Sequence, residues 1–285
     1  MILGLALISL FFILGLFVGS FLNVIILRFP REEKISGRSY CPYCKKTLAW
    51  YDLIPIFSFI ILKRKCRYCQ KPISWQYPIV ETATAILFAL AFHLTMIANG
   101  FELKTITPEK IAILAPELFF HLLFISISII IFTTDLKYMM VPDYVTFPAI
   151  GGAFAFQIFQ NLKLHSWNFL DIFGFKSEMS LSIFSGLGTG LFFLLLVLIT
   201  KGKGMGIGDI KIATFMGLYL SWPKIIVAIC LSFVSGAIIG LALIMAKKKG
   251  IKSEIPFACF LIPATFVSLW FGQYILNWYT NLLAG

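Results

Sequence analysis

Charged residues are scarce in this sequence. Asp, Glu, Lys and Arg make up only 13% of the 285 residues, whereas 59% are hydrophobic, and the mean hydropathy is +0.91. In soluble domains about a quarter of the residues are charged. A soluble fold of this size cannot bury so much apolar surface. The composition therefore excludes an ordinary soluble protein and predicts a membrane protein whose helices lie in the bilayer.

Acidic residues are scarcer than basic residues. The chain has 13 Asp and Glu against 24 Lys and Arg, which gives a formal net charge of +11. In a soluble protein this excess would indicate nucleic acid as a partner. In a membrane protein it reflects the basic residues that flank the spans on the cytoplasmic side, so we expect membrane lipid and no nucleic acid as a partner.

We do not expect a cleavable signal peptide at the N-terminus. Residues 2–27 carry no charge. This stretch is much longer than the apolar core of a signal peptide, and no basic segment precedes it. We therefore expect residues 1–27 to form the first transmembrane helix.

Eight segments are apolar enough for transmembrane helices, which need about 20 residues each. They are 2–27, 77–98, 111–134, 144–160, 180–200, 208–222, 225–246 and 256–280, of which the fourth and sixth are short. With the N-terminus outside, 19 of the 24 Lys and Arg lie on the cytoplasmic side, as the positive-inside rule requires. The sequence thus predicts an all-α polytopic membrane protein of about eight transmembrane helices, with residues 28–76 as a cytoplasmic module and 77–285 as a transmembrane helical domain. The apolar stretch 53–62 is too short to span and is expected at the membrane surface.

Four of the six cysteines form two Cys-x-x-Cys pairs. Cys41 and Cys44 are separated by 21 residues from Cys66 and Cys69. This is close to the spacing of a structural zinc ribbon, in which two thiolates from each turn complete a closed tetrahedral site. Flanking lysines and arginines are expected to favour the thiolate form. Two disulfides are the alternative, but they rarely persist in the reducing cytosol where the topology places this module. The other two cysteines lie within spans and are expected to be ordinary packing residues.

Two aspartates lie at the ends of predicted spans, where charge is costly and marks function by default. Asp135 ends the third span and Asp209 begins the sixth, so the topology places both at the cytoplasmic face. Two facing carboxylates can share one proton, and then one activates water while the other donates to a carbonyl group. The glycines before Asp209 would let an extended peptide backbone approach. The alternative is that both aspartates cap helices.

Other polar residues in or beside the spans have simpler or open roles. Asp143 begins the fourth span and is expected to cap its helix. Glu81 opens the second span, and it either caps that helix or faces a functional site. Glu117 and His121 share a face of the third helix and are expected to be structural.

These features occur in an order that resembles the bacterial type IV prepilin peptidase family, a family of intramembrane aspartyl proteases. The resemblance extends over most of the chain and has four elements. They are Gly15 to Pro30 (GLFVGSFLNVIILRFP), the cysteine pairs with Trp50 to Pro55 (WYDLIP) between them and Tyr77 to Glu81 (YPIVE) after them, Asp135-Leu136 with Val141-Pro142-Asp143 downstream, and Gly206 to Lys211 (GIGDIK).

The resemblance implies an enzyme that removes the basic leader of type IV prepilins or pseudopilins at the cytoplasmic face of the bacterial inner membrane. Asp135 and Asp209 match the family's catalytic pair, and the four paired cysteines match its zinc ligands. Family members with the cysteine module also methylate the new N-terminus from S-adenosylmethionine. The sequence shows no recognisable site for this methyl donor, since it contains no glycine loop of the dinucleotide-binding type.

Three other functions are compatible with parts of this pattern. Another intramembrane aspartyl protease, of the presenilin or signal-peptide-peptidase type, would share the glycine–aspartate motif but would not be expected to carry the cysteine module. A proton-coupled transporter would need carboxylates near the bilayer midplane and repeated halves, and the sequence has neither. A zinc-stabilised scaffold without activity would not need two aspartates at a matched depth.

Overall fold

The structure, a computed structural model, describes residues 2–104, 106–164, 178–202, 205–246 and 255–284. This part of the chain contains nine α-helices and, apart from two isolated bridges, no β-structure. The helices are α1 (Ile2–Arg28), α2 (Phe57–Ile61), α3 (Gln76–Ala98), α4 (Pro108–Tyr138), α5 (Asp143–Leu164), α6 (Glu178–Ile199), α7 (Ile207–Leu220), α8 (Lys224–Met245) and α9 (Ala258–Ala284). Every helix except α2 coincides with a predicted span, which confirms the all-α polytopic fold. Six of the lysines counted above lie outside the described residues: Lys176, Lys203, Lys247, Lys248, Lys249 and Lys252.

Six of these helices are long and apolar enough to cross a bilayer, namely α1, α3, α4, α6, α8 and α9. The helix α7 has 14 residues and is therefore about 21 Å long, which is less than the roughly 30 Å of the hydrocarbon core. The helix α5 has 22 residues but contains the buried polar side chains of Gln157 and Asn161. Of the eight helices that coincide with predicted spans, α5 and α7 are the two outside the six, and they have the shortest predicted spans.

Residues 1–133 form one compact unit, which is built on a close antiparallel contact between α1 and α3. Gly15 lies against Ala85 and Gly19 lies against Glu81, so residue numbers fall along α3 as they rise along α1. A Cβ atom on Gly15 would lie only 2.5 Å from the Cα atom of Ala85. The two glycines thus let the backbones of α1 and α3 approach, as small residues do between transmembrane helices.

Residues 29–75 connect α1 to α3 with little regular structure. They contain two 3-10 turns, Phe29–Arg31 and Trp50–Leu53, and the short helix α2. The buried guanidinium of Arg28 organises the first part, because it donates at 2.8–3.0 Å to the carbonyls of Lys34, Ile35, Ser36 and Arg38. The arginine guanidinium has five N–H donors in a fixed planar geometry, so it can bind several backbone carbonyls of one irregular segment.

The short helix α2 has one exposed and one packed side. Phe57, Ile60 and Ile61 are each more than 60% exposed. Phe59 is buried and packs on Trp75, with ring centroids 5.1 Å apart. This one-sided exposure suits a helix at the membrane surface, where residues 53–62 are predicted to lie.

Residues 134–285 form the second unit, whose centre is α7. Nine of the 14 residues of α7 are buried, because α5, α6 and α9 pack around it. A Cβ atom on Gly217 of α7 would lie 2.8 Å from the Cα atom of Gly186 in α6. The side-chain amide of Gln157 in α5 donates to the carbonyls of Leu218 and Tyr219 at 2.7 and 3.2 Å. The short helix that carries Asp209 is therefore firmly held.

Candidate active site and candidate metal centre

The structure brings the two predicted catalytic aspartates together within the second unit. Asp135 lies in the last turn of α4, and Asp209 lies in the first turn of α7. Both residues are buried, with 7% and 8% of their surface exposed. Their carboxylates are close enough to interact electrostatically. One buried site therefore contains two acidic groups.

The hydrogen bonds of the two carboxylates differ. Asp209 Oδ2 accepts from the backbone N–H of Gly206 at 3.0 Å, and Asp135 accepts from the backbone N–H of Ala258 at the start of α9. Asp135 Oδ2 is buried, and no group among the described residues donates to it. A buried oxygen without a donor is costly, and it offers a place for a proton, a water molecule or a substrate group.

Cys259 is a neighbour of the aspartate pair that the sequence does not indicate. It follows Ala258 in the first turn of α9, and both carboxylates act on its thiol electrostatically. Hydropathy predicts only a packing residue here, because nothing in a linear pattern connects residue 259 with the two aspartates. The start of α9 thus contributes a backbone donor and a thiol to the site.

Asp143 has a partner other than the two buried aspartates. It is the first residue of α5, and its expected capping role stays a prediction. Its Oδ1 atom lies 2.5 Å from Lys211 Nζ, and Lys211 also lies 5.2 Å from the ring centroid of Phe147. This ion pair links α5 to α7, but 61% of the Asp143 side chain is exposed. An exposed pair of this kind contributes little to stability.

In the first unit, the four predicted zinc ligands form one cluster. The sulfur atoms of Cys41, Cys44, Cys66 and Cys69 all lie within 4.8 Å of one another, and Cys41 Sγ is 3.8 Å from Cys69 Sγ. Zinc with tetrahedral bonds of about 2.3 Å to sulfur separates its ligands by about 3.8 Å. All four cysteines are free rather than disulfide-bonded. The cluster therefore fits a four-coordinate metal ion, and it could form a zinc site.

The two Cys-x-x-Cys turns repeat each other in sequence and in geometry. Both read Cys-x-Tyr-Cys-x-Lys, and in both the N–H of the first cysteine donates to the carbonyl of the lysine, at 3.0 and 2.9 Å. The lysines then cross between the turns. Lys46 Nζ lies 4.9 Å from the ring centroid of Tyr68, and Lys71 Nζ lies 4.9 Å from that of Tyr43. These reciprocal cation–π contacts hold the turns together.

Cys69 does not show the thiolate character expected from the flanking basic residues. A backbone hydrogen bond from Lys71 lowers the pKa of Cys69, but desolvation and hydrogen bonds with the other three thiols outweigh it and raise this pKa to about 11. Lysines near the cluster are instead engaged with aromatic rings. A bound divalent cation would supply the missing positive charge and deprotonate the thiols.

Asp52 connects the segment between the cysteine pairs to the second pair. Its Oδ1 atom accepts from Arg67 Nε at 2.8 Å, and only 1% of its side chain is exposed. The Tyr68 hydroxyl and the Ala49 N–H donate to Oδ2, both at 3.4 Å. The hydrogen bond to Asp52 raises the pKa of the Arg67 guanidinium. A sequence pattern does not predict this pairing, because neither residue lies in a periodic element.

Glu81, whose role the sequence leaves open, makes structural contacts in the first unit. Its Oε2 atom accepts from the Ile56 N–H at 2.8 Å, and the Ser20 hydroxyl donates to the same carboxylate. Glu81 therefore links α3 to α1 and to the residue before α2. Glu117 and His121 are both buried in α4, and their expected structural role stays a prediction.

Two family models match this chain, and each covers one of the two candidate sites. The Bacterial Peptidase A24 N-terminal domain matches residues 13–95, which include the four clustered cysteines. The Type IV leader peptidase family matches residues 122–241, which include both aspartates. A protein of Bacillus subtilis (strain 168), named prepilin leader peptidase/N-methyltransferase, is 30% identical over 278 residues, covering 97% of this chain and 99% of the relative. The chain belongs to the type IV leader peptidase family.

Other members of this leader peptidase family match over nearly the same length. Proteins of the same name from Aeromonas hydrophila and Legionella pneumophila are each 30% identical, over 302 and 297 residues. The alignments cover 96% and 94% of this chain and 94% of each relative. No solved structure gives a significant match. The similarity to these enzymes thus extends over both units of the chain.

Proposed function

We propose that the chain is an intramembrane aspartic endopeptidase whose catalytic pair is Asp135 and Asp209. The observation that carries this proposal is that two carboxylates, one at the end of α4 and one at the start of α7, meet in one buried site. A membrane protein rarely keeps acidic groups buried without a function for them. The region matched by the leader peptidase family includes both residues, which supports the same assignment.

The pair performs hydrolysis with one proton shared between the two carboxylates. The ionised carboxylate takes a proton from a water molecule, whose oxygen attacks the carbonyl carbon of the scissile bond. The protonated carboxylate gives its proton to the carbonyl oxygen, and a neutral diol forms. When the diol collapses, the amine leaves with the proton first taken from water, and a hydroxyl proton returns to the other carboxylate. The starting protonation state is thereby restored.

The substrates are type IV prepilins or pseudopilins, cut between the basic leader and the hydrophobic helix. The relatives are named prepilin leader peptidase/N-methyltransferase, which supports this substrate class. The protein resides in the bacterial inner membrane, with the site at its cytoplasmic face. The support for this orientation is the excess of Lys and Arg on one side of the predicted spans.

The chain also methylates the new N-terminus of the cleaved pilin. The relatives' name, which includes N-methyltransferase, supports this second activity. The free amine attacks the methyl carbon of S-adenosylmethionine, the bond between that carbon and the sulfur breaks, and S-adenosylhomocysteine leaves. The methylated nitrogen then loses a proton, so one methyl group replaces one hydrogen. We assign no residues to the methyl-donor site.

Zinc stabilises the module at residues 28–76. Cys41, Cys44, Cys66 and Cys69 would hold the ion as four thiolates, and their spacing fits a tetrahedral site. Four protein ligands leave no open position for a substrate, so the ion supplies structure and takes no part in the hydrolysis.

One experiment tests both activities. The purified, reconstituted protein is incubated with a candidate prepilin, with and without S-adenosylmethionine, and the product mass is measured. We expect leader loss in both samples and the mass of one added methyl group only with the methyl donor. Absence of cleavage with every prepilin offered would contradict the peptidase assignment, whereas cleavage without methylation would contradict only the second activity.

A further inference from the structure

Gly208, the residue before Asp209, is in close contact with the loop that follows Asp135. A Cβ atom on Gly208 would lie 2.6 Å from Val141 Cγ2 and 2.9 Å from Val141 Cβ. Contacts this short do not occur between real side chains, so one of the two elements would have to move. Valine is branched at Cβ and stiff about χ1. Its side chain cannot simply turn away, and the displacement would pass to the backbone.

The loop that carries Val141 has little freedom to absorb such a displacement. The loop begins after α4 with Met139, whose N–H donates to the Asp135 carbonyl at 2.9 Å. The φ angle of Met139 is 52°, which is unusual for a residue other than glycine. Pro142 follows Val141, and its carbonyl accepts from the N–H of Thr146 at 3.0 Å. The contact with Gly208 is therefore anchored on one side by Asp135 itself.

The other glycine of the Gly-x-Gly-Asp stretch has different surroundings. A Cβ atom on Gly206 would have no neighbour nearer than the Gly208 nitrogen at 3.9 Å. Its backbone angles, φ −87° and ψ 161°, suit any residue. Packing within the described residues thus explains a glycine at 208 and does not explain one at 206. The expected approach of a substrate backbone remains a reason for the glycine at 206.

We propose that the contact between Val141 and Gly208 sets the separation of Asp135 and Asp209. Val141 and Gly208 are positioning residues: each is a short chain distance from one aspartate, and their contact limits how closely the two carboxylates approach. The inference rests on the proposed peptidase function of this pair. It assigns the second glycine of the motif to the assembly of the site rather than to the substrate.

The test combines Gly208→Ala, Val141→Ala and the double variant in reconstituted protein. A misplacement of catalytic groups by about 1 Å can lower the rate about 100-fold. We expect Gly208→Ala to lower kcat for prepilin cleavage by this order while KM stays near the wild-type value. Val141→Ala removes the Cγ2 atom that would lie 2.6 Å from the new Cβ atom but keeps Val141 Cβ at 2.9 Å, so the double variant should recover part of the lost kcat. Gly188→Ala is the matched control, because a Cβ atom there has nothing within 4 Å.

A second measurement does not depend on activity. The thermal unfolding midpoints of the wild type, the two single variants and the double variant form a cycle, and steric contact predicts that the two changes are strongly non-additive. Additive midpoints would overturn the contact. A normal kcat for Gly208→Ala, or a low kcat that Val141→Ala does not raise at all, would overturn the positioning role. A wild type that cleaves no prepilin would instead count against the proposed function, while the midpoints still decide the contact.

Discussion

Removing the metal from the four-cysteine cluster should unfold the module at residues 28–76 while the contact between α1 and α3 persists. Within residues 29–75, only Cys41, Asp52, Pro55, Phe59 and Cys66 are buried. Two of these are cluster ligands and one is a charged group. The apolar core of the module is therefore close to a single phenylalanine.

The magnitudes show which interaction dominates. Burial of one Phe side chain contributes up to about 3 kcal/mol, whereas a structural zinc site contributes about 10 kcal/mol or more. The Asp52–Arg67 pair adds a charged hydrogen bond, but 44% of the Arg67 side chain is exposed, so solvent screens this interaction. The interactions that remain without the metal do not offset its loss, so the segment should lose its fixed structure.

The assay is amide hydrogen exchange followed by mass spectrometry, before and after chelation. We expect the peptides from residues 38 to 73 to lose protection, while those from α1 and α3 keep it. Cys66→Ser should give the same pattern and a protein without zinc. Cys230→Ser is the matched control, since Cys230 is an exposed cysteine outside the cluster. Full protection of the module in verified zinc-free protein would refute this reasoning.

Two further predictions concern packing and charge. Gly15→Ala places a methyl group 2.5 Å from Ala85 Cα. We expect it to destabilise the protein by about 1–3 kcal/mol, as overpacking does. A thermal unfolding midpoint equal to that of Gly188→Ala would contradict the packing role of Gly15. Asp143→Asn removes an ion pair whose carboxylate is 61% exposed, so we expect less than about 1 kcal/mol of lost stability and near-normal prepilin cleavage. Loss of cleavage in folded Asp143→Asn protein would mean that Asp143 takes part in the reaction.

The sequence predicts the helices and the metal cluster well because both depend on local patterns. Eight apolar segments become eight helices, since a chain in lipid must satisfy its backbone hydrogen bonds within each segment. The cysteine pairs meet because each Cys-x-x-Cys turn presents two sulfurs, and two such turns complete a tetrahedron. Asp135 and Asp209 are indicated by the cost of charge in a span, and their positions at matched helix ends predict that they can meet.

The contacts that hold these sites in place are not predictable in the same way. Three of these contacts join residues that share no periodic pattern. They are the hydrogen bonds from Arg28 to four carbonyls, the ion pair of Asp52 with Arg67 and the approach of Cys259 to the two aspartates. The role of Gly208 is likewise not predictable from the sequence. A glycine before an aspartate can serve substrate approach or close packing, and only the position of Val141 distinguishes the two.

The most direct test of the catalytic pair is leader removal by Asp135→Asn and Asp209→Asn proteins at matched expression and zinc content. Each asparagine keeps the side-chain shape but cannot take a proton from water or share one with its neighbour. We predict that either change abolishes cleavage, and that the double variant is no worse than either single one, as for residues that act as a unit. Near-normal cleavage by either single variant would contradict the assignment of Asp135 and Asp209 as the catalytic pair.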